Sequence, residues 1–158
     1  MTDYQSSRTS VRSGDIVAFC GTGLGARIIR WWTGSPWTHV GIACWWKGRL
    51  MILESYPGKG TRAHPLSHDL PCYIRPMGVV WTEQLHKEAT ELLDLPYSWL
   101  NDWKAAWGMR LVERRKQCAQ YVRDILERAG VQGLPMSPTP GNLMTATNGN
   151  GGFWFDAA

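Results

Sequence analysis

Two apolar runs, His39–Trp46 and Arg49–Ser55, stand on either side of the dipeptide Lys47-Gly48. Runs this rich in β-branched and aromatic residues, separated by so short a turn, form a β-hairpin. A hairpin fixes its own register. With Lys47-Gly48 as a two-residue turn, or as the centre of a four-residue one, Trp46 faces Arg49, and His39 lies opposite Tyr56 and diagonal to Glu54. All three side chains then share one face, whereas a three-residue turn would break the arrangement. Diagonal positions are about 7–8 Å apart at the backbone, a gap that an imidazole and a glutamate can bridge. Taken singly, His39 reads as a half-buried histidine and Glu54 as a solvent-facing strand residue. Yet Glu54 follows Leu50-Met51-Ile52-Leu53, where a covered carboxylate needs a partner.

The rest of the chain joins this hairpin to helices. A strand is predicted over 15–20, then the loop Gly21-Thr22-Gly23-Leu24-Gly25, then a short helical stretch to Trp32. A further strand is expected near 72–76. From Thr82, a helix N-cap, the period changes: Leu85, Ala89, Leu92 and Leu93 recur at helical spacing. A second helical piece is expected from about Tyr97 to Trp107. The clearest helix is Lys116–Ala129, with Cys118, Tyr121, Val122, Ile125, Leu126 and Ala129 on one stripe and Gly130 as its stop. Strands followed by helices imply an α+β fold. With 158 residues and 44% hydrophobic content, one domain is expected over 14–146. It lies between a flexible segment 1–13 and a Gly/Asn-rich tail 147–158, whose Phe153-Trp154-Phe155 could dock back onto the body. The longest apolar run, Val40–Trp46, falls far short of the ~18 residues of a membrane span. The polar opening MTDYQSSRTSVRSGD has no signal-peptide core, so cytoplasmic synthesis is expected.

Several motifs admit a bland reading. Gly21-Thr-Gly-Leu-Gly-Ala26 matches the spacing of a dinucleotide-binding turn, but no Asp or Glu occurs between Asp15 and Glu54 to hold a ribose. A flexible loop beside a binding cleft is the better reading, and no cofactor is expected. The ten tryptophans include Trp99, Trp103 and Trp107 at i, i+4 and i+8, a helix stripe read as a core face. The net charge of +4 is concentrated between Asp102 and Arg128, with seven basic and four acidic residues, as on a solvated helix face. Basic charge with aromatics keeps a non-catalytic nucleic-acid or envelope-binding module as a rival class. Cys20, Cys44, Cys72 and Cys118 form no C-x-x-C pair, so no metal site is expected, and the first three sit in strand-like settings as small hydrophobes.

Cys118 differs. It opens the best helix and follows Arg114-Arg115-Lys116. Helix N-termini and nearby cations both stabilise a thiolate, although its place on the apolar stripe also suits a core cysteine. A cysteine, a separate histidine and a carboxylate able to orient that histidine are the minimum set for nucleophilic acyl transfer.

Five segments, in order, resemble the circularly permuted branch of the NlpC-type papain-like cysteine hydrolases. They are Gly14-Asp15-Ile16-Val17, Ile29-Arg30-Trp31-Trp32-Thr33-Gly34-Ser35-Pro36-Trp37-Thr38-His39-Val40-Gly41-Ile42, Ile52-Leu53-Glu54-Ser55, Pro96-Tyr97-Ser98-Trp99 and Gln117-Cys118-Ala119-Gln120-Tyr121-Val122. The later Ser137-Pro138-Thr139-Pro140-Gly141-Asn142-Leu143 also fits, so the likeness spans about residues 14–143. In this branch, as here, the histidine precedes the cysteine. The resemblance implies a papain-like fold, a small antiparallel sheet or partial barrel packed against helices, with the catalytic cysteine at a helix N-terminus. It implies Cys118 as nucleophile, His39 as general base and acid, Glu54 as the residue orienting the histidine, and Tyr97 as an oxyanion donor. Trp37, Tyr56 and Ser35 are the expected substrate contacts. Ala119-Gln120 stand where the family more often has Ser or Gly.

The activity expected on these grounds is amide hydrolysis through a thioacyl-enzyme, on a peptide or acyl substrate, with the peptides of bacterial peptidoglycan as the leading class. A lipid-directed acyltransferase or thioesterase with the same chemistry is the alternative, because this branch also resembles lecithin:retinol acyltransferase-like proteins. Neither nucleic acid nor an integral membrane segment is part of the leading expectation. Reaching a wall would require release at lysis, export by another route, or carriage in a phage particle.

Overall fold

Lys47 and Gly48 both have positive φ, 49° and 75°, the geometry of a tight turn whose twist matches that of the flanking strands. The hairpin is in the expected register, with Trp46 opposite Arg49 and Ile42 opposite Leu53. The computed structural model describes residues 4–95, 117–149 and 151–156. Its strands are β1 (Ile16–Phe19), β2 (His39–Trp46), β3 (Arg49–Tyr56), β4 (Gly60–Pro65), β5 (Cys72–Arg75) and β6 (Phe153–Phe155). They form one antiparallel sheet in the order β4-β3-β2-β1-β5-β6. The helices are α1 (Tyr4–Ser7), α2 (Leu24–Thr33), α3 (Glu83–Glu91), α4 (Cys118–Arg128) and α5 (Pro140–Ala146). The class is α+β. The helix expected over 97–107, with its tryptophan stripe, lies outside the described residues.

Both faces of the sheet are covered. On one, Ile16, Val40, Ile42, Cys44 and Leu53 pack against Leu85 and Ala89 of α3, the stripe Tyr121, Val122, Ile125 and Leu126 of α4, and Leu143 and Met144 of α5. On the other, Val17, Ala43, Ile52 and Ile74 pack against Tyr4, Val11, Leu66 and Phe155. The ends of the chain, expected to be loose, contribute to this second core. Tyr4 meets the Phe155 ring edge-on with centroids 5.4 Å apart, and Val11 is buried while its carbonyl accepts the Trp45 indole N–H at 2.8 Å. The tail residues Phe153–Phe155 dock as the sixth strand, with Phe155 opposite Cys72.

Local chemistry sets the element ends. The Thr82 hydroxyl accepts the Leu85 N–H at 3.1 Å and caps α3. Thr139 and Asn142 exchange side-chain bonds with each other's backbone N–H, a capping box that starts α5 with Pro140 in its first turn. The Tyr121 hydroxyl donates to the Ala89 carbonyl at 3.0 Å, tying α4 to α3. Gly41, in the middle of the sheet, has no room for a side chain: a Cβ there would lie 2.6 Å from Ile52 Cδ1 and 2.9 Å from the Leu53 carbonyl oxygen. Among the described residues no helix is long and apolar enough to cross a membrane.

Candidate active site

The site forms where β2 begins and α4 begins. His39 is the first residue of β2, and Cys118 is the first residue of α4. Gln117, the buried N-cap residue, fixes the start of that helix by donating its side-chain Nε2–H to the Pro138 carbonyl at 2.7 Å. The motif around Pro138 thereby positions the cysteine turn. By helix geometry the Cys118 backbone N–H has no intrahelical acceptor, and the helix N-terminus carries partial positive charge. Cys118 is 5% exposed.

Cys118 stands near enough to His39 for its charge and its thiol to act on the ring. The other side of the ring is taken: His39 Nε2 lies 2.6 Å from Glu54 Oε2. That leaves Nδ1 as the ring nitrogen not engaged by Glu54. Burial by itself lowers the His39 pKa, but the charge of a Cys118 thiolate, its hydrogen bond and the Glu54 carboxylate outweigh it and raise the value to about 10.

Glu54 is 1% exposed and fully engaged. Its Oε1 accepts the Arg62 Nε–H at 2.8 Å and the Nη2–H at 2.6 Å, and stands 3.0 Å from His64 Nε2. Burial pushes the carboxyl pKa up, but the hydrogen bonds from His39, His64 and Arg62 hold it far below the ordinary carboxylate range. Asp69 Oδ2 lies 2.9 Å from the same His64 nitrogen. A chain of contacts thus runs Cys118, His39, Glu54, His64, Asp69, with Arg62 bracing its centre.

Arg62, His64 and Asp69 are the members that sequence reasoning missed. Arg62 lies directly opposite Glu54 on β4, a strand not anticipated. The signal was present in the alternation of Arg62 and His64 about Ala63, which puts two potential hydrogen-bond donors on the face of a buried acid. Tyr97 lies outside the described residues. Of the three expected substrate contacts, Tyr56 borders the site. Its ring is edge-on to His39 with centroids 5.6 Å apart and lies under the Arg62 guanidinium at 4.5 Å. Trp37 packs against both Tyr73 and Trp154, and Ser35 sits against Gly141 of α5. A cleft of about 370 Å³ opens beside His39, lined by Phe19, Gly21, Ala26, Tyr56 and Leu70 among others. The glycine-rich loop therefore forms one wall of a cleft. It is held there by the Thr38 hydroxyl, which accepts the Gly21 N–H at 2.8 Å and donates to the Phe19 carbonyl at 3.1 Å.

The other cysteines are in different surroundings. Burial raises the Cys44 thiol to about 11 and the Cys72 thiol to about 12, and it also raises that of half-buried Cys20, against the opposing charge of Arg30.

No family model matches the chain, and no curated protein does. Among solved structures, the chain is similar in fold to the crystal structure of metalloprotein YiiX from Escherichia coli O157:H7, a DUF1105 protein. The TM-score is 0.60 at 16% identity, over 77% of this chain and 68% of that one. Among the described residues, one group has the donor atoms for a metal ion: Glu54, His64 and Asp69, whose ligand atoms lie within 4.8 Å of one another. A divalent cation does not fit them as arranged. The Arg62 guanidinium already stands 2.6 Å from Glu54 Oε1, and His39 holds Oε2. The three side chains are joined by their own contacts, with His64 Nε2 between Glu54 and Asp69 and the Arg62 guanidinium on Glu54 Oε1.

Proposed function

We propose that the chain is a cysteine hydrolase of the papain-like type in the permuted order, cleaving amide bonds through a thioacyl-enzyme. The observation that carries this reading is the serial contact Cys118–His39–Glu54, with the cysteine at a helix N-terminus. Glu54 fixes a proton on His39 Nε2, so Nδ1 is open to take the thiol proton. The thiolate attacks the carbonyl carbon, and the charge developing on oxygen is met by the Cys118 backbone N–H. A donor of this kind is worth about 10²–10³ in rate. The imidazolium returns its proton to the leaving amine as the C–N bond breaks. Water, deprotonated by His39, then releases the acid and frees the thiol. The resemblance supplies Tyr97 as a second donor to the oxyanion.

Wall peptides are the substrate class that the resemblance implies. The test is hydrolysis of a panel of wall-type peptides, simple amides, esters and thioesters by wild type and Cys118→Ala. The reading predicts amide cleavage that vanishes in Cys118→Ala with the fold intact. Equal activity of the two proteins overturns the mechanism. Turnover of long-chain esters or thioesters alone would assign the same residues to lipid acyl chemistry instead.

A further inference from the structure

Helix α2 presents an apolar stripe to solvent. Leu24 is 78% exposed, Ile28 61% and Trp31 85%, and their spacing of four and three residues stacks them on one side of the helix. Exposed apolar residues normally lie scattered; here three adjoin on one helix, at exposures that leave them no part in the core. The same helix reaches the candidate site from another side, because Ala26 lines the cleft that holds His39. Along the sequence, the charge near the stripe is of one sign. Residues 16–53 contain Arg27, Arg30, Lys47 and Arg49 and no carboxylate, and two of those four cations are on α2 itself.

A leucine, an isoleucine and a tryptophan side by side, on a helix that carries two arginines and no acid, complement an anionic lipid surface. The apolar side chains enter the boundary between headgroups and acyl chains, and the cations meet the phosphates. A stable protein interface needs about 800 Å² per partner, more than a single ten-residue helix stripe offers, whereas shallow insertion needs only such a stripe. We propose that α2 docks the protein on anionic bilayers through Leu24, Ile28 and Trp31, assisted by Arg27 and Arg30, and so brings the mouth of the His39 cleft to the membrane surface. This does not depend on the cysteine chemistry.

The experiment is flotation of the full chain with phosphatidylcholine vesicles, with and without phosphatidylglycerol, at low and high salt. Wild type and Cys118→Ala should float equally with the anionic vesicles and stay behind with the neutral ones, and the binding should weaken as salt rises. Ile28→Gln/Trp31→Gln should lose about tenfold or more in vesicle affinity, as loss of two buried apolar groups requires. Arg27→Gln/Arg30→Gln should lose the preference for anionic lipid. Circular dichroism and Cys118 alkylation, unchanged in both variants, establish that they are folded. The proposal is overturned by failure of wild type to float with anionic vesicles, or by equal flotation of the variants. It is also overturned if sedimentation in the absence of lipid shows a dimer that Ile28→Gln/Trp31→Gln dissociates, which would assign the stripe to a second copy of the chain.

Discussion

Replacing Glu54 by glutamine tests the site at its centre, because the substitution keeps shape and removes only charge and one acceptor. The carboxylate serves three groups, Arg62, His64 and His39. A glutamine must turn its NH₂ toward one side. Turned toward Arg62, it sets donor against donor, since a guanidinium cannot accept. Turned toward His39, it requires Nε2 to be unprotonated, so the ring proton moves to Nδ1 and points at Cys118. The second arrangement has the fewer unmade bonds, and it leaves His39 in the tautomer that cannot take the thiol proton. Hydrogen bonds to a charged acceptor are worth about 1.5–3 kcal/mol and neutral ones about 1 kcal/mol. Weakening three such contacts therefore costs about 3 kcal/mol. Arg62 is 26% exposed and can turn to water, which brings the expected loss to about 2 kcal/mol. Urea unfolding gives that number. Iodoacetamide alkylation of Cys118 gives the other: a fall of about 10²-fold for Glu54→Gln, the low end of general-base effects, and a larger fall for His39→Ala. Stability within about 0.5 kcal/mol of wild type, or an alkylation rate unchanged in Glu54→Gln, would refute the tautomer argument.

Further outcomes follow from the same contacts. The Glu54 carboxyl is held below its unfolded value of 4.5, so its contribution to stability is complete above that pH and is lost as pH falls below it; the acid limb of a stability–pH profile should flatten in Glu54→Gln. His39 behaves oppositely. Its value is raised from 6.5 to about 10, so its contribution is complete below pH 6.5 and is lost as pH rises toward 10, and His39→Ala should remove that alkaline loss. Gly41→Ala should destabilise the chain by about 1–3 kcal/mol in urea, because the added methyl meets Ile52 and the Leu53 backbone. Gln117→Ala leaves the Pro138 carbonyl without its donor and should cost about 1–3 kcal/mol while slowing Cys118 alkylation. Chelator treatment should leave Cys118 alkylation unchanged, because the Arg62 guanidinium already engages Glu54 Oε1, an oxygen that an ion held with His64 and Asp69 would need.

What could be read from the residues was what local chemistry dictates. The Lys47-Gly48 turn sets the β2–β3 register, and that register brings His39 and Glu54 together. The stripe of α4 and the Thr82 cap were equally plain. The missed elements lack a pattern of their own. Strand β4 reads Thr61-Arg62-Ala63-His64-Pro65, with Arg62 and His64 turned to a buried acid, so no apolar alternation marks it. Strand β6 has only three residues in a Gly/Asn-rich tail, and its pairing depends on β5, some eighty residues earlier in the chain. Tyr4 and Val11 sit in a polar stretch, and only the tertiary fold shows that the second face of the sheet needs them. Trp37, an expected substrate contact, stands in an aromatic cluster with Tyr73 and Trp154, a setting that its sequence neighbours do not reveal.

The central claim is that His39 activates Cys118 and no other cysteine. Alkylation of the native protein by iodoacetamide at neutral pH, with the modified residue mapped by mass spectrometry and the experiment repeated in His39→Ala, tests it most directly. Selective modification of Cys118, lost in His39→Ala, is the predicted result, with Cys44 and Cys72 inert because burial holds their thiols at about 11 and about 12. Slow modification shared among Cys20, Cys44, Cys72 and Cys118, or a Cys118 rate indifferent to His39, would contradict it and leave the chain a fold relative that binds without catalysing.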